Sequence, residues 1–249
     1  LNNCLRYRVD TRAAVGGRRF PGSEALIYLD NRRWLLQPAS CVNRCEFELI
    51  FRLPPDYSVS TPWATYAEHT PVKTAEPGTT RFTMNIAPAD WDGLTVIGEF
   101  DTRVESVGDT RIRIAFPGID DPDKQAFFAR WLMGSIAAVS KVQGKFPVWE
   151  MQVVLNGSGA ARDPVPWGEV KRGGRPSVHL FLDLRRPLSD FRDDWTVYHE
   201  VSHTLIPFVS RYEAWVSEGL ASYYQNIAPG MAGIYSEQAV WEKMYAGLN

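Results

Sequence analysis

Histidine, cysteine and charge imbalance are all scarce in this chain. Among 249 residues there are four histidines and three cysteines. The formal net charge is −2, from 27 basic and 29 acidic side chains. A near-neutral chain lacks the positive field that nucleic acid or an anionic membrane surface requires, so neither is expected as a partner. No stretch approaches the ~20 consecutive apolar residues of a membrane span. Neither a Met nor an apolar signal-like run stands at Leu1. The numbering is therefore expected to begin on a processed or trimmed chain, with any export signal out of view.

Three cysteines, Cys4, Cys41 and Cys45, leave one unpaired in any scheme. A zinc site among them is not expected, because no fourth ligand is near in sequence. One disulfide is expected, joining Cys4 to Cys41, Cys4 to Cys45, or Cys41 to Cys45. A disulfide fits a periplasmic or secreted protein, and three free thiols would fit the cytoplasm. The remaining composition is that of a globular chain: 45% hydrophobic, 22% charged, with nine Trp and twelve Phe to fill a core.

Two of the four histidines stand together in the stretch 195–224, WTVYHEVSHTLIPFVSRYEAWVSEGLASYY. His199 and His203 are four apart. On a helix, both imidazoles lie on one face, one turn apart, and imidazole pairs of this kind suit zinc. Glu200 lies between them. In an H-E-x-x-H site this carboxylate is the general base toward a zinc-bound water rather than a ligand. A catalytic zinc takes three protein ligands, and Glu218 is the candidate for the third. One zinc per chain is expected.

HEVSH followed by WVSEGLASYY resembles the gluzincin zinc metallopeptidases, which have a thermolysin-like catalytic domain. The alanyl/leucyl-type aminopeptidases and the glycyl-aminopeptidase-like family look most similar. In these, H-E-x-x-H is followed on a second helix by W-x-x-E-G, whose Glu is the third ligand. The resemblance matches His199, Glu200, His203, Glu218 and Gly219 position by position. It implies peptide-bond hydrolysis with a peptide as substrate. Fourteen residues separate His203 from Glu218, against the usual eighteen of the alanyl/leucyl type. The loop between the two helices must therefore be shorter, and Pro207 can end the first helix. One turn beyond Glu218, Ser222 matches the position where these families orient a zinc ligand with a small hydroxyl or Asp. A later helical lobe of the families supplies a tyrosine for the oxyanion. No tyrosine here matches that spacing, and Tyr212, Tyr235 and Tyr245 are possible substitutes.

Upstream, residues 1–117 read as antiparallel β. Leu5, Tyr7 and Val9 alternate with arginines. Phe47, Leu49, Phe51 and Leu53 alternate with Glu46, Glu48 and Arg52, and Ile112, Ile114 and Phe116 with Arg111 and Arg113. Period two with one polar face marks half-buried strands, and several short ones imply a sandwich. Pro117-Gly118 is the expected boundary. Asp120 or Asp121 caps a helix with Pro122 in its first turn, and Phe127, Phe128, Trp131, Leu132, Ile136 and Val139 give its apolar stripe. Strands are expected at 148–155 and 177–182, with the Gly- and Pro-rich stretch 157–176 as a loop. His179 falls in the second strand as a core or cleft-wall residue, and His69 in a surface loop. The second helix of the site is expected at about 212–226 and a final one at 235–246.

The fold class expected is α+β: an N-terminal antiparallel β-sandwich, 1–117, then a thermolysin-like α/β zinc peptidase lobe, 118–249. The related aminopeptidases carry a G-A-M-E-N motif whose Glu grips the free amine of the substrate. Here the loop offers only Asp163 or Glu169, without the motif. Aminopeptidase-like hydrolysis is the leading reading. An endopeptidase without free-amine recognition, or a zinc-holding binding module, is the alternative.

Overall fold

The computed structural model describes residues 6–14, 26–36, 45–65, 79–86, 92–159, 161–172, 175–207, 209 and 211–247. Cys4, Cys41 and His69 lie outside these. Cys45 is disulfide-bonded. The chain divides into two units, Leu1–Glu99 and Phe100–Asn249. Mixed helices and sheets make it α+β, as expected.

The first unit holds strand β1 (Leu26–Asp30), the one-turn helix α1 (Asn31–Trp34), and strands β2 (Cys45–Arg52), β3 (Ser58–Ser60), β4 (Ala64–Thr65), β5 (Thr79–Ile86) and β6 (Leu94–Gly98). They form two three-stranded antiparallel sheets, ordered β1-β6-β3 and β2-β5-β4. The alternating pattern of 45–53 forms β2, with Leu49 opposite Phe82 of β5. Phe51, Trp63 and Phe82 form a buried aromatic cluster, joined by Val59 and Ile97 from the other sheet. Residues 6–10 are not a strand. Their alternation has no described partner strand to make it one.

The second unit begins earlier than the Pro117-Gly118 signal suggests. Strands β7 (Thr102–Val107) and β8 (Thr110–Ala115) belong to it. They form a hairpin that turns at Gly108, whose φ of +56° suits glycine. The alternation over 111–116 predicts β8 correctly but cannot say which sheet it joins. Helix α2 (Pro122–Ser140) follows, capped as expected: the Asp121 carboxylate accepts from the N–H of Asp123 at 2.9 Å, with Pro122 at the first turn. Next come β9 (Glu150–Ser158), β10 (Trp167–Lys171) and β11 (Ser177–Asp183). The sheet order is β10-β11-β9-β8-β7, with β9 parallel to β8 and β11 and the outer strands antiparallel. Strand β10 corrects the expectation of a loop over 157–176. Five residues, WGEVK, between Gly- and Pro-rich flanks were too short to register as periodic.

Helices α3 (Thr196–Ser202), α4 (Ala214–Met231) and α5 (Glu237–Ala246) complete the unit. Phe128, Leu132, Ile136 and Val139 of α2 and Val197 and Val201 of α3 share one core with Ile112, Ile114, Val153, Leu155, Val178 and Leu180 of the sheet. The alternate residues of the central strands are also buried, several of them polar: Gln152, Asn156, Ser177 and His179. Ser177 donates to Gln152 at 2.6 Å and its hydroxyl lies 2.8 Å from Nε2 of His179.

Two predictions follow from these buried polar groups. Glu150 is fully buried, its two carboxylate oxygens 2.9 Å from Nε of Arg113 and 3.0 Å from Nε of Arg175. Glu150→Ala removes the carboxylate that both Arg113 and Arg175 face. Chemical denaturation should show roughly 3–5 kcal/mol lost from this unit. His179 is wholly enclosed, and burial, aided by the Lys171 ammonium, pulls its pKa down to about 3. The folded state thus refuses a proton that the unfolded state accepts from pH 6.5 downward, so stability is intact above that value and lost as pH falls toward 3. Melting of His179→Gln across that window should be flatter than wild type. Parallel curves would exclude His179 as the source.

Candidate metal centre

Helix α3 is short, and both ends are tied down from outside. At its start, Asp194 accepts from the N–H of Thr196 at 2.8 Å and from the N–H of Val165 at 3.2 Å. Burial pushes the Asp194 carboxyl pKa up, and these backbone donors pull against it. His199 lies within the helix. His203 is the residue that ends it and begins a 3-10 turn, His203–Leu205. The two rings stand 4.9 Å apart, nearly perpendicular. The edge of the half-exposed Trp195 lies against His199, centroids 5.5 Å apart.

Glu218 enters from the second turn of α4. Its Oε2 lies 3.2 Å from Nε2 of His199 and 3.5 Å from Nε2 of His203. The other ring nitrogens are held: Nδ1 of His199 lies 2.8 Å from Oε1 of Gln225, and Nδ1 of His203 lies 3.1 Å from Oγ of Ser217. Ligand atoms from all three residues lie within 4.8 Å of one another, a group that could hold a metal ion.

The donor set fits a metal on its own chemistry. Oε1 of Gln225 is an acceptor, and with the His199 proton on Nδ1 the Nε2 lone pair and the Glu218 carboxylate oxygen face one point. A cation there would join the two acceptors. Four donors around zinc at about 2.0–2.1 Å lie about 3.3 Å apart, and the observed 3.2 and 3.5 Å bracket that spacing. Burial also lowers the pKa of His203, which keeps that imidazole neutral, the form that binds metal.

Glu200 packs against strand β10. A Cβ built on Gly168 would stand 2.7 Å from Oε1 of Glu200 and 2.8 Å from its Cδ. Burial, aided by the negative charges of Glu218 and Glu169, raises the Glu200 pKa to about 8. Glu169 itself is ion-paired with the ammonium of Lys171. Two partners of the histidines, Ser217 and Gln225, were not singled out in the sequence. Their signal is helical phase, since Gln225 lies seven residues after Glu218 and so on the same face of α4. Ser222, the sequence candidate for this role, is exposed, and its carbonyl accepts from Asn226. Of the three tyrosines considered, Tyr212 and Tyr245 are exposed. Tyr235 packs on Tyr198 with the Lys243 ammonium 4.9 Å from its ring centre. None of these contacts involves His199, His203 or Glu218.

Gly168→Ala tests the packing at Glu200. The new methyl group must displace the carboxylate or the strand. Metal content is expected to hold, while any activity that depends on Glu200 should fall at least about tenfold, because a misplacement on the ångström scale can reach a hundredfold. Unchanged turnover would show that Glu200 does not need its place against β10.

No family model matches the chain, and no curated protein does. Among solved structures, the chain is similar to an aminopeptidase N family protein from Idiomarina loihiensis, with a TM-score of 0.60 and 16% identity. The match covers 87% of this chain and 39% of that one, so this chain spans well under half the length of that protein. At this identity the likeness is one of fold.

Proposed function

We propose that this chain is a zinc-dependent peptide hydrolase of the gluzincin type, aminopeptidase-like, with its second unit as a thermolysin-like catalytic lobe that follows a β-sandwich domain in the sequence. The observation that carries the reading is the convergence of His199, His203 and Glu218, with the half-buried Glu200 near them. The fold likeness to an aminopeptidase N family protein supports it.

His199, His203 and Glu218 would hold the ion. Bound there, zinc supplies Lewis acidity toward a peptide carbonyl and makes an attacking water more acidic. The chain's own work falls to the residues around it. Gln225 and Ser217 fix the two imidazoles through Nδ1 and leave Nε2 of each for the ion. The Glu200 carboxylate takes the proton from the attacking water and delivers it to the leaving amine. Its place against β10 beside the three ligand candidates suits it to both steps. The partner is a peptide. Among the described residues no helix is long and apolar enough to cross a membrane. The disulfide at Cys45 supports a periplasmic or secreted setting.

A second reading, an endopeptidase without free-amine recognition, draws on one observation. The carboxylate of Glu169, a candidate to grip a substrate amine, already holds the ammonium of Lys171.

The experiment is metal analysis beside turnover of free-amine and N-blocked peptides for three proteins. Wild type should hold one zinc per chain. Glu200→Gln should keep that zinc and lose about 10²–10⁴-fold in turnover. Glu218→Gln should lose zinc. Preference between the two peptide classes separates the aminopeptidase from the endopeptidase. A wild type that binds zinc, cleaves neither, and matches Glu200→Gln would instead be a binding module.

A further inference from the structure

The second histidine sits where a helix is weakest. His203 follows the last residue of α3, and the chain then tightens into a 3-10 turn. Upstream its backbone is secure, because its N–H bonds back to the carbonyls of His199 and Val201. Downstream the helix offers little. The last carbonyls of a helix have no partner within it, and the N–H of Ile206 reaches the His203 carbonyl only at 3.4 Å.

Side chains from other elements take over these carbonyls. Arg172 stands directly after β10. Its Nη1 donates to the carbonyl of Ile206 at 2.8 Å and its Nη2 donates to the carbonyl of His203. Gln143, just beyond α2, donates to the carbonyl of Leu205 at 3.1 Å. Three of the four carbonyls over 203–206 are therefore held from outside. The guanidinium contributes two of the three bonds, using the fixed planar fork that distinguishes arginine from lysine. Its charge lies at the C-terminal end of α3, where the helix dipole favours a cation, and it attracts Glu218. Burial opposes the charge, so a partly desolvated cation is retained here and its donors are spent on this one turn.

We infer that Arg172 is a positioning residue for the metal centre. By clamping the carbonyls of His203 and Ile206 it fixes the backbone of His203, while Ser217 fixes the ring, and the imidazole Nε2 is thereby held toward Glu218. The inference rests on the metal-centre reading above. It adds a residue that touches no ligand atom and governs one ligand's placement.

The test compares wild type, Arg172→Met and Arg172→Lys. Zinc affinity is measured by competition with a chromophoric chelator, the cobalt-substituted proteins are compared by visible absorption, and amide exchange is followed in the metal-free proteins. Loss of an orienting partner typically weakens metal binding 10–100-fold, and Arg172→Met should fall by about that factor with altered cobalt bands. Arg172→Lys restores the charge without the fork and should stay at least about tenfold weaker than wild type. It also serves as the readable variant if Arg172→Met does not fold. Without metal, the amide of Ile206 should exchange faster in both variants while those of α2 are unchanged. Wild-type affinity, cobalt spectrum and exchange in the variants would overturn the inference alone. A wild type that takes up no zinc would overturn the metal-centre reading and this inference with it.

Discussion

Two imidazoles and a carboxylate from separate elements are brought to one point, and the second unit is arranged to hold them there. Two imidazole nitrogens and a carboxylate oxygen share a space no wider than 4.8 Å. Nothing in the local preference of a short helix favours this. The energy comes from burial elsewhere. Val197 and Val201 pack α3 into the core of α2 and the sheet, on the same short helix that presents His199. Asp194 ties the start of that helix to the loop at Val165, and Arg172 and Gln143 tie its end. From α4, Gln225 and Ser217 reach across to the rings. Many modest contacts thus hold the three groups together, and a cation between them would bind all three.

The two glutamates nearest the histidines show how placement assigns different chemistry to one residue type. The Glu218 side chain is 60% exposed and meets both imidazoles. Glu200 is pressed against the backbone of β10 at a glycine, and burial raises its pKa. One carboxylate is thus open to solvent at the imidazoles, and the other is drawn out of water against a strand. The same spacing that puts His199 and His203 on one face of α3 turns Glu200 about 100° away, toward the strand that desolvates it.

What was legible in the sequence is what short-range periodicity encodes. Spacing found the His199–His203 pair that meets Glu218, Asp121 with Pro122 marked the start of α2, and alternation marked β2 and β8. Partnership was not legible. The strands at 102–107 and 110–115 look like those of the first unit because a half-buried strand has one pattern whichever sheet it joins, and so the expected boundary fell too late. Strand β10 was missed because its five residues depend on pairing with β11 rather than on their own apolar content. That miss mattered, since β10 and the residue after it supply both the glycine beneath Glu200 and the arginine at His203. Ser222 drew notice by distance along the chain, yet it is Ser217 and Gln225 that meet the imidazoles.

The short spacing between His203 and Glu218 follows from where α3 stops. A helix that continued past its second histidine would need residues for that extension and more to return. Here the helix ends at His203, a single 3-10 turn follows, Pro207 prevents its continuation, and α4 begins at Ala214 with Glu218 in its second turn. Fourteen intervening residues therefore suffice to bring the carboxylate back to both rings. The economy has a structural consequence. A ligand inside a long helix is held by hydrogen bonds on both sides, whereas a ligand at a helix end is held on one side only. The missing restraint has to come from elsewhere in the fold, and the carbonyls beyond His203 are where Arg172 and Gln143 supply it. Early termination and the external clamp are two sides of one arrangement: the loop is short because the helix stops at His203, and His203 stays in place because Arg172 and Gln143 hold the turn beyond it.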